Sequence, residues 1–302
     1  MNTFKNNNNI MKARDLKLTN DVLFKFVFGR EERKNLTISF LNDLLHAELN
    51  HEIEDLKFEP TEQIGLFKND KQSQLDIVCT LKSGEIVDIE IQLADEGNYK
   101  KRSLYYWACL YSSSLKAASN YKALVPCICI NILNFTLFEK KAHPFTTIIL
   151  DDPETHERFL KDLSMIYIEL PKFKKKPKAE MSRIERWIAL LNDKVSYEEK
   201  EEYAMNDQAM TDVLKAYDQF FSDPAVRHMY LRREMARMDY EVAMENREAI
   251  GEERGLKRGI KKTLEQCALA CIKEGIPKEK VFKMFKMSDQ EISDFLNKYK
   301  DL

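Results

Sequence analysis

Residues 75–93, LDIVCTLKSGEIVDIEIQL, constrain this chain more than any other stretch, because they join two β-rich runs through a turn whose length sets their register. Leu75–Leu81 and Glu85–Leu93 read as the strands of a hairpin. Lys82-Ser83-Gly84 suits a three-residue loop with Gly84 in the left-handed position. In that register Leu81 faces Glu85, Ile77 faces Ile89 and Asp76 faces Glu90. Side chains alternate along a strand, so one face carries Leu75, Ile77, Cys79, Leu81, Val87, Ile89, Ile91 and Leu93, with Glu85 at the turn its only charge. That face is core. The other carries Gln74, Asp76, Val78, Thr80, Ile86, Asp88, Glu90 and Gln92, and any chemistry belongs there. A two-residue loop of Ser83-Gly84 would instead put Asp76 opposite Ile91, with the carboxylates on opposite faces.

Directly opposed like charges destabilise a sheet unless something compensates them. A divalent cation does so: carboxylate oxygens suit Mg²⁺ or Mn²⁺, which keep several waters and bind through one or two protein carboxylates plus a phosphate. The alternative is a solvated sheet face on which charges carry no special meaning. By strand rise, Asp88 falls about 6 to 7 Å from Glu90, nearer the turn, and reads as a bystander to a site at Asp76 and Glu90.

Asp76, a short β-turn and then Glu90-Ile91-Gln92 resemble the D…E-x-K active site of the PD-(D/E)XK nuclease superfamily, with Gln in place of Lys. More closely, the chain is similar to the Rpn family of recombination-promoting nucleases and transposases. The ordered likeness comprises TNDVLFKFVFG at 19–29, IEIQ at 89–92 and KRSLYYWACLYSSSL at 101–115. It covers residues 15–175 closely and the helical tail more loosely. The resemblance implies an α/β fold with an α-β-β-β-α-β core and a metal-dependent DNA endonuclease linked to recombination or mobile elements. It implies Mg²⁺ or Mn²⁺ held by Asp76 and Glu90, with Asp21 a third acidic group, and Gln92 orienting the attacking water. An amide cannot supply the positive charge of the superfamily's Lys, so either activity is weaker or that charge is borrowed from Lys100 or Lys101. A catalytically silent nucleic-acid-binding or protein-interaction module is the reading from a different class.

A hydrophobic content of 44% over 302 residues supports a real core, and 32% charged residues with few Gly and Pro favour a helix-rich protein. The net charge of −2 provides no global basic field, so nucleic acid must be met by local patches. Six cysteines and five histidines form no zinc-type spacing and read as the small hydrophobes and ordinary polar residues of a cytoplasmic protein. No apolar run is long enough to span a bilayer.

In chain order, residues 1–14 read as a disordered start. Thr19 is the expected N-cap of a helix carrying Leu23, Phe24, Val27 and Phe28, ended by Gly29; Asp21 in its first turn complements the helix dipole. A helix over 31–45, a strand over 53–58 and a polar connector over 68–74 precede the hairpin. A helix over 99–118 should bury Leu104, Trp107, Ala108, Tyr111 and Leu115. Its first-turn cations Lys100, Lys101 and Arg102 oppose the helix dipole, and either face a nucleic-acid phosphate or form a solvated basic turn. LVPCICINILNF at 124–135 reads as a strand buried on both faces, followed by strands over 146–150 and 165–170. Periodicity alone gives mixed α/β.

PKFKKKPK at 171–178 reads as the boundary between a domain over 15–175 and a helical region over 179–302, being either a linker or a phosphate-contacting strip. Helices centred on Trp187, over 198–221 and over 225–262 follow, the last with Gly251, Gly255 and Gly259 on one face. Between 254 and 286, ten Lys or Arg stand against three Glu, a net of +7. That segment is either a DNA reader or a dimerising hairpin, through which the chain would form a homodimer.

Overall fold

The computed structural model describes residues 12–60, 75–115 and 119–299. The asparagine-rich start, the connector over 68–74 and the end of the helix expected to reach Ala118 lie outside them. The described residues fall into two compact units, 12–234 and 235–299.

The first unit is built on one six-stranded mixed sheet. Its strands are β1 (Leu56–Glu59), β2 (Ile77–Leu81), β3 (Ile86–Gln92), β4 (Cys127–Leu133), β5 (Phe145–Asp151) and β6 (Arg158–Glu169), in the spatial order β1-β2-β3-β4-β6-β5. The hairpin register is the one its loop dictates: Ile77 pairs with Ile89 and Cys79 with Val87, and Gly84 takes φ +114°. Strand β4 then pairs in parallel with β3 and with β6. A parallel neighbour needs a crossover, and α3 (Tyr99–Ser113) supplies it between β3 and β4. With α1 (Asp21–Phe28) and α2 (Lys34–Leu45) ahead of the sheet, the α-β-β-β-α-β order is present.

The two sheet faces are covered unequally. Ile77, Cys79, Leu81, Val87, Ile89 and Ile91 join Ile128, Ile130 and Ile132 of β4 in the main core, against α1, α2 and the helices α4 (Arg183–Leu191), α5 (Tyr197–Ala204) and α6 (Gln208–Ser222). Burying each such side chain contributes about 1.5 to 3 kcal/mol. The opposite face packs Val78, Cys127 and Cys129 against Tyr106 and Leu110 of α3. Leu75, expected in the main core, lies in this second cluster. The strand begins only at Ile77, so alternation has no hold on Leu75.

Four further differences have local causes. Asn20, not Thr19, caps α1 by accepting the Val22 N–H at 3.0 Å, while the Thr19 hydroxyl donates to Asp193. Helix α3 buries Tyr99, Ser103, Tyr106, Cys109 and Leu110 and leaves Leu104 exposed, because the sheet beneath its first turns is polar and takes hydroxyls: Ser103 meets the Tyr167 hydroxyl at 2.8 Å. The single helix expected over 198–221 divides into α5 and α6, where Asn206 adopts φ +63° and Asp207 caps the second piece.

The fourth concerns 171–178, which is neither a linker nor a free basic strip. Lys172 reaches Glu169 at 2.6 Å, Lys175 pairs with Glu199, Lys176 with Glu185, and Lys178 donates to the Met205 carbonyl. The helices beyond it share the main core, with Trp187 and Phe220 fully buried. The division between the compact units falls at Glu234/Met235, within α7 (Pro224–Lys273). In the second unit, α7 runs through its three glycines to Lys273. Gly275 at φ +87° then turns the chain into α8 (Lys278–Met284), and a Ser288–Glu291 capping box starts α9 (Asp289–Lys298). Ala268, Val281, Phe282 and Phe295 form a small separate core.

Candidate active site

Asp76 and Glu90 are brought together at the open end of the hairpin. The Asp76 N–H donates to Glu90 Oε1 at 2.9 Å, and the Ile91 N–H donates to Asp76 Oδ2 at 3.0 Å. The two carboxylates are thus each tied to the other's strand. Neither lies on a solvated face: Glu90 is 3% exposed and the Asp76 side chain 10%, and Asp88, two positions before Glu90, is 1% exposed. The solvated alternative is excluded.

Burial sets the electrostatics. Loss of water raises the carboxyl pKa of Asp88 and Glu90 well above the usual range and that of Asp76 above it. The charges reinforce the effect: Asp76 acts on Asp88, and Asp88 and Asp76 act on Glu90. Asp88, nearer the turn, thus lies within the electrostatic field of the other two. The Cys129 thiol offsets part of the shift at Asp88, whose Oδ1 is buried with no hydrogen-bond partner.

Two cations answer this charge. Lys25 of α1 places Nζ 3.0 Å from Asp76 Oδ1. On the other side, Gln92 Nε2 donates to Glu90 Oε2 at 2.9 Å and Gln92 Oε1 accepts from Arg102 Nη2 at 2.6 Å. Arg102 also lies over the Tyr99 ring, 4.9 Å from its centroid. The positive charge absent from position 92 thus stands one side chain away, on α3. Lys100 and Lys101, expected to provide it, are exposed.

Asp21 sits in the first turn of α1, where Arg233 Nε pairs with it at 3.0 Å; its charge acts on Asp76, but no hydrogen bond joins it to Asp76 or Glu90. Among the described residues, no group of three or more His, Cys, Asp or Glu side chains converges as a ready-made metal cage. The chemistry of the donors nonetheless fits a hard divalent ion. Of the three carboxylates only Asp76 meets an ammonium directly, Asp88 keeps an orphaned oxygen, and Mg²⁺ needs only one or two protein carboxylates when waters and phosphate complete its shell.

Lys25 is the least legible of these residues in the sequence. Its one signal is that, after Asp21, it is the only charge in an otherwise apolar helix, DVLFKFVF. Arg102 stands within the basic first turn of α3, where cations opposing the helix dipole already ask for an anionic partner.

A family model described as PD-(D/E)XK nuclease family transposase matches residues 18–247. No curated protein and no solved structure matches the chain.

Proposed function

Because this chain belongs to the PD-(D/E)XK nuclease family transposases, we propose that it is a metal-dependent DNA endonuclease acting in recombination or the movement of mobile elements. The observation that carries this reading is the pairing of Asp76 with Glu90 in a buried group of three carboxyls, of which only Asp76 meets a cation directly. These two carboxylates would hold Mg²⁺ or Mn²⁺. Such an ion polarises a phosphodiester and lowers the pKa of a bound water.

The chain's own residues supply the rest. Arg102 fixes the Gln92 amide by holding its oxygen, which leaves the amide nitrogen pointing at Glu90. Gln92 orients a water beside that carboxylate, and Arg102 provides the positive charge that a lysine at 92 would have carried. Asp21 adds negative charge from outside while Arg233 holds it. In the second unit, Arg247, Arg254, Lys257, Arg258, Lys261 and Lys262 are all exposed on α7. At 100° per residue they occupy about 140° of the helix circumference, a basic ridge suited to a phosphate backbone. Four buried thiols, Cys79, Cys109, Cys127 and Cys129, suit a reducing cytoplasm.

One observation favours the alternative, a catalytically silent nucleic-acid-binding or protein-interaction module: all four oxygens of Asp76 and Glu90 already accept from protein donors. Incubating the full chain with supercoiled plasmid separates the two. Nicking in Mg²⁺ that stops in EDTA and in a folded Asp76→Ala variant supports the nuclease. Wild-type-like nicking by that variant would remove Asp76 from the mechanism, and no nicking by wild type in Mg²⁺ or in Mn²⁺ leaves the silent module.

A further inference from the structure

Lys25 occupies an unusual place for an ammonium. Its helix buries Leu23, Phe24, Phe26, Val27 and Phe28, and the acid one turn before it, Asp21, is taken by Arg233. Lys25 turns to Asp76 instead. It stands at the edge of a cleft of about 310 Å³ that Glu59, Asp76 and Val78 also line. Its side chain is 33% exposed and that of Asp76 only 10%, so the ammonium lies between the buried carboxylates and the open cleft. Gly29 fixes the far end of the same helix: its N–H caps the Lys25 carbonyl at 2.9 Å, and a Cβ there would lie 2.9 Å from that oxygen and 3.3 Å from Ile77. The backbone carrying Lys25 is thereby held against the strand that follows Asp76.

Lys25 is also the only ammonium in direct contact with Asp76 among the described residues, and it takes the Oδ1 that the Ile91 N–H leaves free. A single positive charge at this point competes with a doubly charged ion for the same oxygen, and the Coulomb energy at equal distance favours the ion twofold. We propose that Lys25 is the resident counter-ion of the carboxylate site: it holds Asp76 while no metal is bound, yields Oδ1 to a divalent cation, and then turns its ammonium into the cleft to meet the phosphodiester. This rests on the metal-dependent reading above. It makes Lys25 a residue that lowers metal affinity and contributes to cleavage, a combination that a purely structural lysine does not produce.

Mn²⁺ binding to the full chain, followed by calorimetry on wild type, Lys25→Met and Lys25→Arg, tests it. Lys25→Met should bind Mn²⁺ at least tenfold more tightly than wild type and nick plasmid more slowly, while Lys25→Arg stays within about threefold in affinity. A folded Lys25→Met with unchanged or weaker affinity overturns the proposal. No Mn²⁺ binding by wild type would overturn the metal-dependent reading itself, and this proposal with it. A measurement on wild type alone guards against misfolding of the variant: acylation of Lys25, read by mass spectrometry, should run at least fivefold faster in Mn²⁺ than in EDTA. An equal or slower rate refutes the exchange.

Discussion

Replacing Asp88 by Asn should stabilise the metal-free protein, and the gain should grow with pH. Asp88 is 1% exposed, its Oδ1 has no hydrogen-bond partner, and burial together with Asp76 raises its pKa well above the usual range. A carboxyl whose pKa is higher folded than unfolded binds its proton more tightly in the native state. Its contribution is therefore fully present below the unfolded value, near 3.9, and is lost as pH rises from there through the raised folded value. For one proton the slope is about 1.4 kcal/mol per pH unit within that window. Asn carries no such dependence. Between pH 5 and pH 7 one proton's linkage lets the variant gain at most about 3 kcal/mol on wild type. At about 2 to 4 °C per kcal/mol for a domain of this size, the difference in Tm should widen with pH by several degrees and by no more than about 10 °C. Thermal unfolding in EDTA at several pH values measures it. A difference that stays constant with pH, or a variant less stable than wild type at pH 7, would refute the account of the buried carboxylates.

Three further outcomes follow from particular residues. Arg102→Ala should lower Mg²⁺-dependent nicking by about 10- to 100-fold, the worth of a charged hydrogen bond made in the transition state, while leaving Mn²⁺ affinity within a few-fold; plasmid kinetics beside calorimetry read both. Neutralising Arg254, Arg258 and Lys262 together should flatten the salt dependence of duplex DNA binding by a log–log slope of about 0.9 for each phosphate that the ridge no longer neutralises, and an unchanged slope would take α7 out of binding. Gly84→Ala should cost about 1 kcal/mol in chemical denaturation, because φ +114° strains a residue with a Cβ although nothing lies within 4 Å of it.

The hairpin was legible because its loop length, its alternation and its glycine all point to one register, which the pairing of Ile77 with Ile89 bears out. The same logic reached β4, where an unbroken apolar run means burial on both faces. It misread α3, since a helix that packs on a polar patch buries Ser103 and tyrosine hydroxyls and so hides its inner face from hydrophobic periodicity. The ion pairs of 171–178 stay hidden from sequence, which shows the lysines' charge but not the partners, Glu169, Glu185 and Glu199, that three-dimensional packing brings to them. At the candidate site, Asp76, Glu90 and Gln92 share one hairpin and could be placed together from their spacing. Lys25 and Arg102 come from helices on either side of that hairpin in sequence, and their bonds to Asp76 and Gln92 depend on tertiary packing that periodicity does not carry.

The central claim, that Asp76 and Glu90 together hold the ion on which cleavage depends, is tested most directly by anomalous diffraction from a Mn²⁺-soaked crystal of protein already shown to nick DNA. The account expects one strong peak about 2.1 Å from a carboxylate oxygen of each residue, with Lys25 Nζ withdrawn from Asp76 Oδ1. A peak that touches neither carboxylate, in cleavage-competent protein, would contradict it.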